Sequence, residues 1–107
     1  MIERSTIRTF CKAMARQFRP RKIIFFGSYG YGKPTEDSDF DLLVFMARTR
    51  YRGERMSFRI RKAMPASFPM DLIVRTPAEI SKRLRWGDSF MREIFEKGKV
   101  MYDSTNP

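Results

Sequence analysis

The sequence predicts an α/β fold, a small mixed β-sheet flanked by helices, and three observations carry that prediction. Short apolar runs at 23–26, 40–46 and 70–75 have the length and the β-branched and aromatic content of strands. Around them lie segments whose apolar residues recur every three or four positions, the period of a helix with one buried face. The resulting order is helix, strand, loop, strand, helix, strand, helix, helix and a final short strand, as in a sheet with helices packed against it.

Each element has its own justification. Over residues 6–19, Ile7, Phe10, Met14 and Phe18 paint one face of an amphipathic helix. Pro20 ends it, and Arg19, directly before the proline, is pushed out of helical geometry. Residues 23–26 form a buried strand that stops at Gly27, and residues 28–38 read as a glycine-rich loop containing Pro34. The run 40–46 is apolar on both faces beyond its acidic start, so it is a central strand with helices over both sides. Met56, Ile60, Ala63 and Met64 mark the inner face of the next helix, with Arg52, Arg55, Arg59 and Lys62 opposite, and that helix ends near Pro65. Strand 70–75 is stopped by Thr76 and Pro77. Thr76-Pro77-Ala78-Glu79 is a capping box with proline at the first helical position. Gly87 and Asp88 then reset the apolar phase from Ile80 and Leu84 to Phe90, Ile94 and Phe95, which predicts two helical pieces. Gly98 suits a C-terminal cap, and "KVMYD" adds a short edge strand before "STNP" frays.

A chain of 107 residues is expected to be one domain, 1–107, with no room for a separate substrate-binding domain. No window reaches the roughly eighteen unbroken apolar residues of a membrane-spanning helix. The opening "MIERSTIRTF" lacks the apolar core of a secretory signal, and lone Cys11 has no partner for a disulfide, so a soluble protein of a reducing cytoplasm is expected. Cys11 falls among apolar helical neighbours and reads as an inert, semi-buried thiol. The absence of histidine excludes imidazole catalysis and imidazole zinc sites. Acids, bases and metal ligands must therefore be carboxylates or lysines. The formal net charge of +10 is uneven: residues 48–62 hold seven basic side chains against the single Glu54. Such a stripe attracts polyanions or an acidic protein surface, or is simply a solvated helix face.

Against that charge, "GSYGYGKPTEDSDFDLLV" (27–44) places four acidic residues within six positions, at the mouth of a strand. Residues two apart in a strand share a face, so Asp39 and Asp41 project together while Phe40 points the other way into the core. If the third strand lies beside the second, Asp71 takes the matching place at the head of its own aliphatic run. Strands about 4.8 Å apart would bring the three carboxylates within reach of one or two hard cations, and magnesium accepts such oxygen ligands. Two ions about 3.5–4 Å apart can polarise a phosphorus, activate the attacking oxygen and stabilise the leaving one. Glycines 27, 30 and 32 let the chain curl its amides toward an anion, with the Ser28 hydroxyl as a further donor, which suits a triphosphate. The run lacks the ending of a Walker loop, and it does not read as a dinucleotide fingerprint opening directly into a helix. Lys33 either steadies a phosphate or is merely solvated. Tyr29 and Tyr31 either stack on a base or pack on the loop, and Trp86 reads as a core or interface residue. Each piece alone is ordinary in turns, caps and strand starts. Their order and spacing, glycine-serine, then Asp-x-Asp entering a strand, then an acid leading a later strand, carry the argument.

That pattern, over about residues 20–103 and with "DLIV" downstream, resembles the nucleotidyltransferase superfamily that includes DNA polymerase beta and kanamycin nucleotidyltransferase, and most of all its minimal bacterial and archaeal members. The closing "EKGKVMYD" is similar to the last helix and strand of that group. The resemblance implies a polymerase beta-like palm fold and transfer of AMP from Mg-ATP to a hydroxyl with release of pyrophosphate. On this reading Gly27 and Ser28 hold the β/γ phosphates, Asp39 and Asp41 bind two Mg2+ ions, and Asp71 completes one metal site and helps deprotonate the acceptor. It further implies a HEPN-type toxin as partner, in a hetero-oligomer where the nucleotidyltransferase is the antitoxin and modifies a tyrosine. Two alternatives stay open: a non-catalytic antitoxin that works by occlusion, and an RNA-modifying transferase suggested by the arginine-rich helix. The physical reading agrees with the enzyme, because phosphoryl transfer is mostly positioning and charge stabilisation, which carboxylates and metal supply without histidine.

Overall fold

The computed structural model describes residues 3–32, 40–47, 53–66, 68 and 70–105. Helix α1 (Arg4–Phe18) buries Ile7, Cys11, Met14 and Ala15, so its inner stripe is centred on Cys11, with Phe10 and Phe18 only partly buried at its flanks. Arg19 leaves the helix as expected, but into the left-handed region (φ 51°, ψ 54°) rather than into an extended conformation; its N–H still bonds to the Ala15 carbonyl.

Strand β1 (Lys22–Phe26) is buried along almost its whole length. It runs directly into a single helical turn, α2 (Gly27–Gly30), where the sequence suggested loop. The rest of the predicted loop, including Pro34, lies outside the described residues. Strand β2 (Phe40–Phe45), helix α3 (Gly53–Ala63) and strand β3 (Met70–Arg75) follow as predicted. Helix α3 buries Met56 and Ile60 and leaves Ala63 exposed, while Met64, just past its end, packs against the core. Arg55, Arg59, Arg61 and Lys62 are on its exposed side, and Arg48, Arg50 and Arg52 lie outside the described residues.

Thr76 caps helix α4 (Pro77–Arg85) with the full reciprocal capping box: its hydroxyl accepts from the Glu79 amide and the Glu79 carboxylate accepts from the Thr76 amide. The predicted break is present, and Asp88 caps helix α5 (Ser89–Lys97) by accepting from the Met91 amide. Gly98 ends α5 in an extended conformation, not a left-handed one. Glycine is needed there for space, since a Cβ would overlap the Ile94 carbonyl oxygen and the Ile24 side chain. Strand β4 (Lys99–Asp103) completes the sheet.

The strand order is β3-β2-β1-β4, with β1 antiparallel to both β2 and β4, and β2 parallel to β3. The parallel pair is joined through α3, and the mixed sheet is the one predicted. Alternate side chains divide the core in two. One face carries Ile23, Phe25, Phe40, Leu42, Val44, Leu72 and Val74 under α1 and α3. The other carries Ile24, Phe26, Leu43 and Phe45 under α4 and α5, which contribute Ile80, Met91 and Ile94. Trp86 is not in the core: it is 72% exposed, with the Lys82 ammonium over its ring. Among the described residues no helix is long and apolar enough to cross a membrane.

Candidate active site

The acid-bearing end of the sheet is built by the end of β1 and the starts of β2 and β3. Phe40 sits on the α1/α3 face, 1% exposed, with its ring edge-on to Phe25 and Phe68. By strand alternation its neighbour Asp41 must project to the α4/α5 face. There Asp41 is half-buried, in register with Phe26 on one side and with Asp71 on the other. Parallel register partners share a face, so Asp41 and Asp71 occupy matching positions on one face of strands about 4.8 Å apart. The expected matching place of Asp71 is thus where the register puts it, and Asp71 is exposed to solvent.

Gly27 explains why this turn and this acid belong together. Its φ is 72°, in the region only glycine enters easily, and a Cβ there would run into the Asp41 carboxylate. Backbone at the end of β1 is therefore laid against the acid with nothing between. Gly30 is used differently, since a Cβ at that position would overlap the Phe25 carbonyl oxygen. Asp39, Lys33 and the side chains of Ser28 and Tyr29 lie outside the described residues. Among the described residues no group of three metal-ligating side chains comes together, so Asp41 and Asp71 are the two candidate ligands described.

Tyr31, left open by the sequence, packs against the α4/α5 core, and its amide bonds to the Gly27 carbonyl at 2.8 Å. Its phenol is held above the ordinary tyrosine range by burial first, then by the Glu93 carboxylate, with Asp41 adding a smaller push and a hydrogen bond at the Gly27 backbone opposing them. The Lys97 ammonium lies 5.9 Å from its ring centroid and pairs with Glu93 at 3.4 Å. Sequence reading did not single out Glu93 and Lys97; their four-residue spacing signals a helical ion pair but not its place beside this site. Phe90, 51% exposed, stands edge-on to Phe26 at 5.7 Å and flanks the same mouth.

Two adjacent carboxylates offer only oxygen donors, the chemistry that hard divalent cations prefer. Bare, they would repel each other. The space a Gly27 side chain would fill is taken by the Asp41 carboxylate itself, so glycine there lets the acid lie directly against the backbone. The donor set fits a hard divalent cation such as magnesium.

The mixed sheet, with an acid at the head of each parallel strand and a glycine turn against one of them, is the architecture of a small α/β nucleotidyltransferase domain, and the family comparison shows that class. The chain belongs to the nucleotidyltransferase domain family, which matches residues 5–101, and is a nucleotidyltransferase of the polymerase beta-like type. It is 30% identical over 109 residues to the putative protein adenylyltransferase of Methanocaldococcus jannaschii, an alignment covering 95% of this chain and all of that one. No solved structure matches it.

Proposed function

We propose that the protein transfers AMP from Mg-ATP to a hydroxyl group, a tyrosine hydroxyl in the first instance, of a partner protein. The observation that carries the reading is the Asp41–Asp71 register pair, with the Gly27 backbone laid directly against the Asp41 carboxylate. Membership of the nucleotidyltransferase family and likeness to a protein named for protein adenylylation support it.

In the proposed reaction the acceptor oxygen forms a bond to the α-phosphorus, the bond from that phosphorus to the bridging oxygen of the β-phosphate breaks, and pyrophosphate leaves with the electron pair. Asp71, the more exposed of the described pair, takes the hydroxyl proton. Asp41 and Asp71, with Asp39, are the residues that would hold Mg2+, two ions in the full reading. When bound, these ions neutralise phosphate charge and lower the cost of charge building up on the leaving group. Gly27 and Ser28 are the residues proposed to hold the β/γ phosphates, with Lys33 as a further proposed donor. Tyr31 and α5 wall the mouth on the α4/α5 side.

The proposed partner is a HEPN-type toxin, with this chain as its antitoxin in a hetero-oligomer of the cytoplasm. A buried thiol with no cysteine partner suits a reducing compartment. The test is incubation with α-labelled ATP, magnesium and the candidate partner. Label should appear on the partner and vanish with Asp41→Asn or Asp71→Asn. Tight binding with no label on the partner would replace transfer by occlusion, and label on RNA instead would replace the protein acceptor.

A further inference from the structure

A second charged feature lies on the opposite face of the sheet, at the same end as the acids. Helix α1 and strand β4 enclose a cleft of about 250 Å³ lined by Arg4, Arg8, Lys12 and Lys99 over a floor that includes Ile7 and Phe25. Arg4, Arg8 and Lys12 recur every fourth residue and form one stripe along α1, with Lys99 across from them at the start of β4. Among the described residues none of the four makes an ion pair. β4 is also the last strand of the sheet, and no described strand pairs with its outer edge. A single lysine on an edge strand is ordinary protection against unwanted pairing. Protection of that kind does not call for three further cations on a neighbouring helix, facing a cavity.

We infer that this cleft is a docking site for an extended acidic segment of a partner protein, which pairs with the outer edge of β4 and sets its carboxylates against the α1 stripe. The spacing suits such a segment. Every fourth residue of a helix advances about 6 Å, and alternate residues of an extended strand advance about 6.7 Å, so successive carboxylates on one side of the segment meet successive cations. Side chains on the other side meet Val100, which is 55% exposed beside the cleft. Strand addition supplies backbone hydrogen bonds, and the charges supply selectivity. Nucleic acid fits less well: single strands bind on exposed aromatic platforms, and the one aromatic residue of this cleft, Phe25, is 4% exposed.

The test uses the intact chain without nucleotide, so its outcome is separate from that of the transfer reading. A fluorescein-labelled peptide of alternating valine and glutamate should bind by anisotropy, and its valine-glutamine counterpart should not. The triple change Arg4→Gln, Arg8→Gln, Lys12→Gln should weaken binding roughly tenfold, as expected for three exposed ion pairs. A control with the same charge loss elsewhere, Arg61→Gln, Lys62→Gln, Arg85→Gln, should keep most of the affinity. Amide exchange within 99–103 should slow when the peptide is added. Equal losses in the two triple variants, no slowing in β4, or preference for a single-stranded RNA oligomer that competes the peptide away would each overturn the inference. If the triple variant melts early, Arg8→Glu alone replaces it and should show the same selective loss.

Discussion

Phe40 and Asp41 are neighbours in the chain and opposites in role. Phe40 lies in a face built for packing, where α1 and α3 close over a large cluster that includes Phe25, Phe40 and partly buried Phe68. Asp41 lies in a face with a smaller cluster, whose helices leave Phe90 and Phe95 half open to solvent. One strand thus serves two purposes, and the two-residue period of the backbone keeps them apart. The packed face fixes where β2 and β3 lie. The open face uses that fixed register to hold two like charges together, an arrangement a loop would relax.

The comparison can be broken most directly at Phe40. Phe40→Ala should cost about 3–5 kcal/mol by leaving a cavity among the rings, read as a lowered midpoint in urea. Loss of less than about 1 kcal/mol would mean that the packed face does not fix the strand. Changing the adjacent acid should do the reverse. Asp41→Asn or Asp71→Asn should reduce nucleotidyl transfer by about a thousandfold, roughly 4 kcal/mol in the barrier, while the melting temperature holds or rises as charge repulsion is relieved. A substantial fall in melting temperature would assign these acids to stability instead.

Gly27→Ala sharpens the boundary between the faces. Its left-handed φ should cost about 1–2 kcal/mol, and the new methyl group should displace the Asp41 carboxylate, so activity should fall further than stability alone explains. Parallel measurement of transfer and urea midpoint separates the two losses.

Glu79 should contribute about 1 kcal/mol through its capping box. Its carboxyl is held below the usual glutamate range, chiefly by the Thr76 amide hydrogen bond. That contribution is present above the ordinary glutamate pKa and is lost as pH falls through the lower folded value, so Glu79→Ala should flatten the acid limb of the stability curve. Cys11 gives the smallest effect at neutral pH. Burial pushes its thiol up to about 12 from 9.0, so the folded state disfavours the thiolate. Its contribution is present below about pH 9 and lost as pH rises toward 12. Iodoacetamide at pH 8 should label it only in urea, as read by mass spectrometry.

Most of the fold was legible because its signals are local. The two-residue and four-residue periods mark the strands and helices, and the capping box at Thr76 and the break at Asp88 are written in adjacent residues. The Asp41–Asp71 pairing was reachable by one further step, that strands joined through a helix lie side by side. The helical turn at Gly27–Gly30 was not legible, because two glycines in four residues read as loop and only packing against β1 and Asp41 makes the turn worthwhile. Trp86, read as a core or interface residue, sits exposed at the C-terminal end of α4, which removes only the core half of that reading. The basic cleft joins residues 4–12 to 99–101, and no sequence period spans that distance. For the proposed site, Asp41, Asp71 and Gly27 were all named from spacing, whereas Tyr31 and Glu93 come together only through the packing of α5.

The direction of the strands has one more consequence. β1 ends, and β2, β3 and β4 begin, at the same end of the sheet. The links after α1, after β2 and after β3 all fall at the other end. Insertions at those links could enlarge the protein with new surfaces or appended modules while the charged end kept its dimensions, which makes this sheet a chassis open to growth from behind.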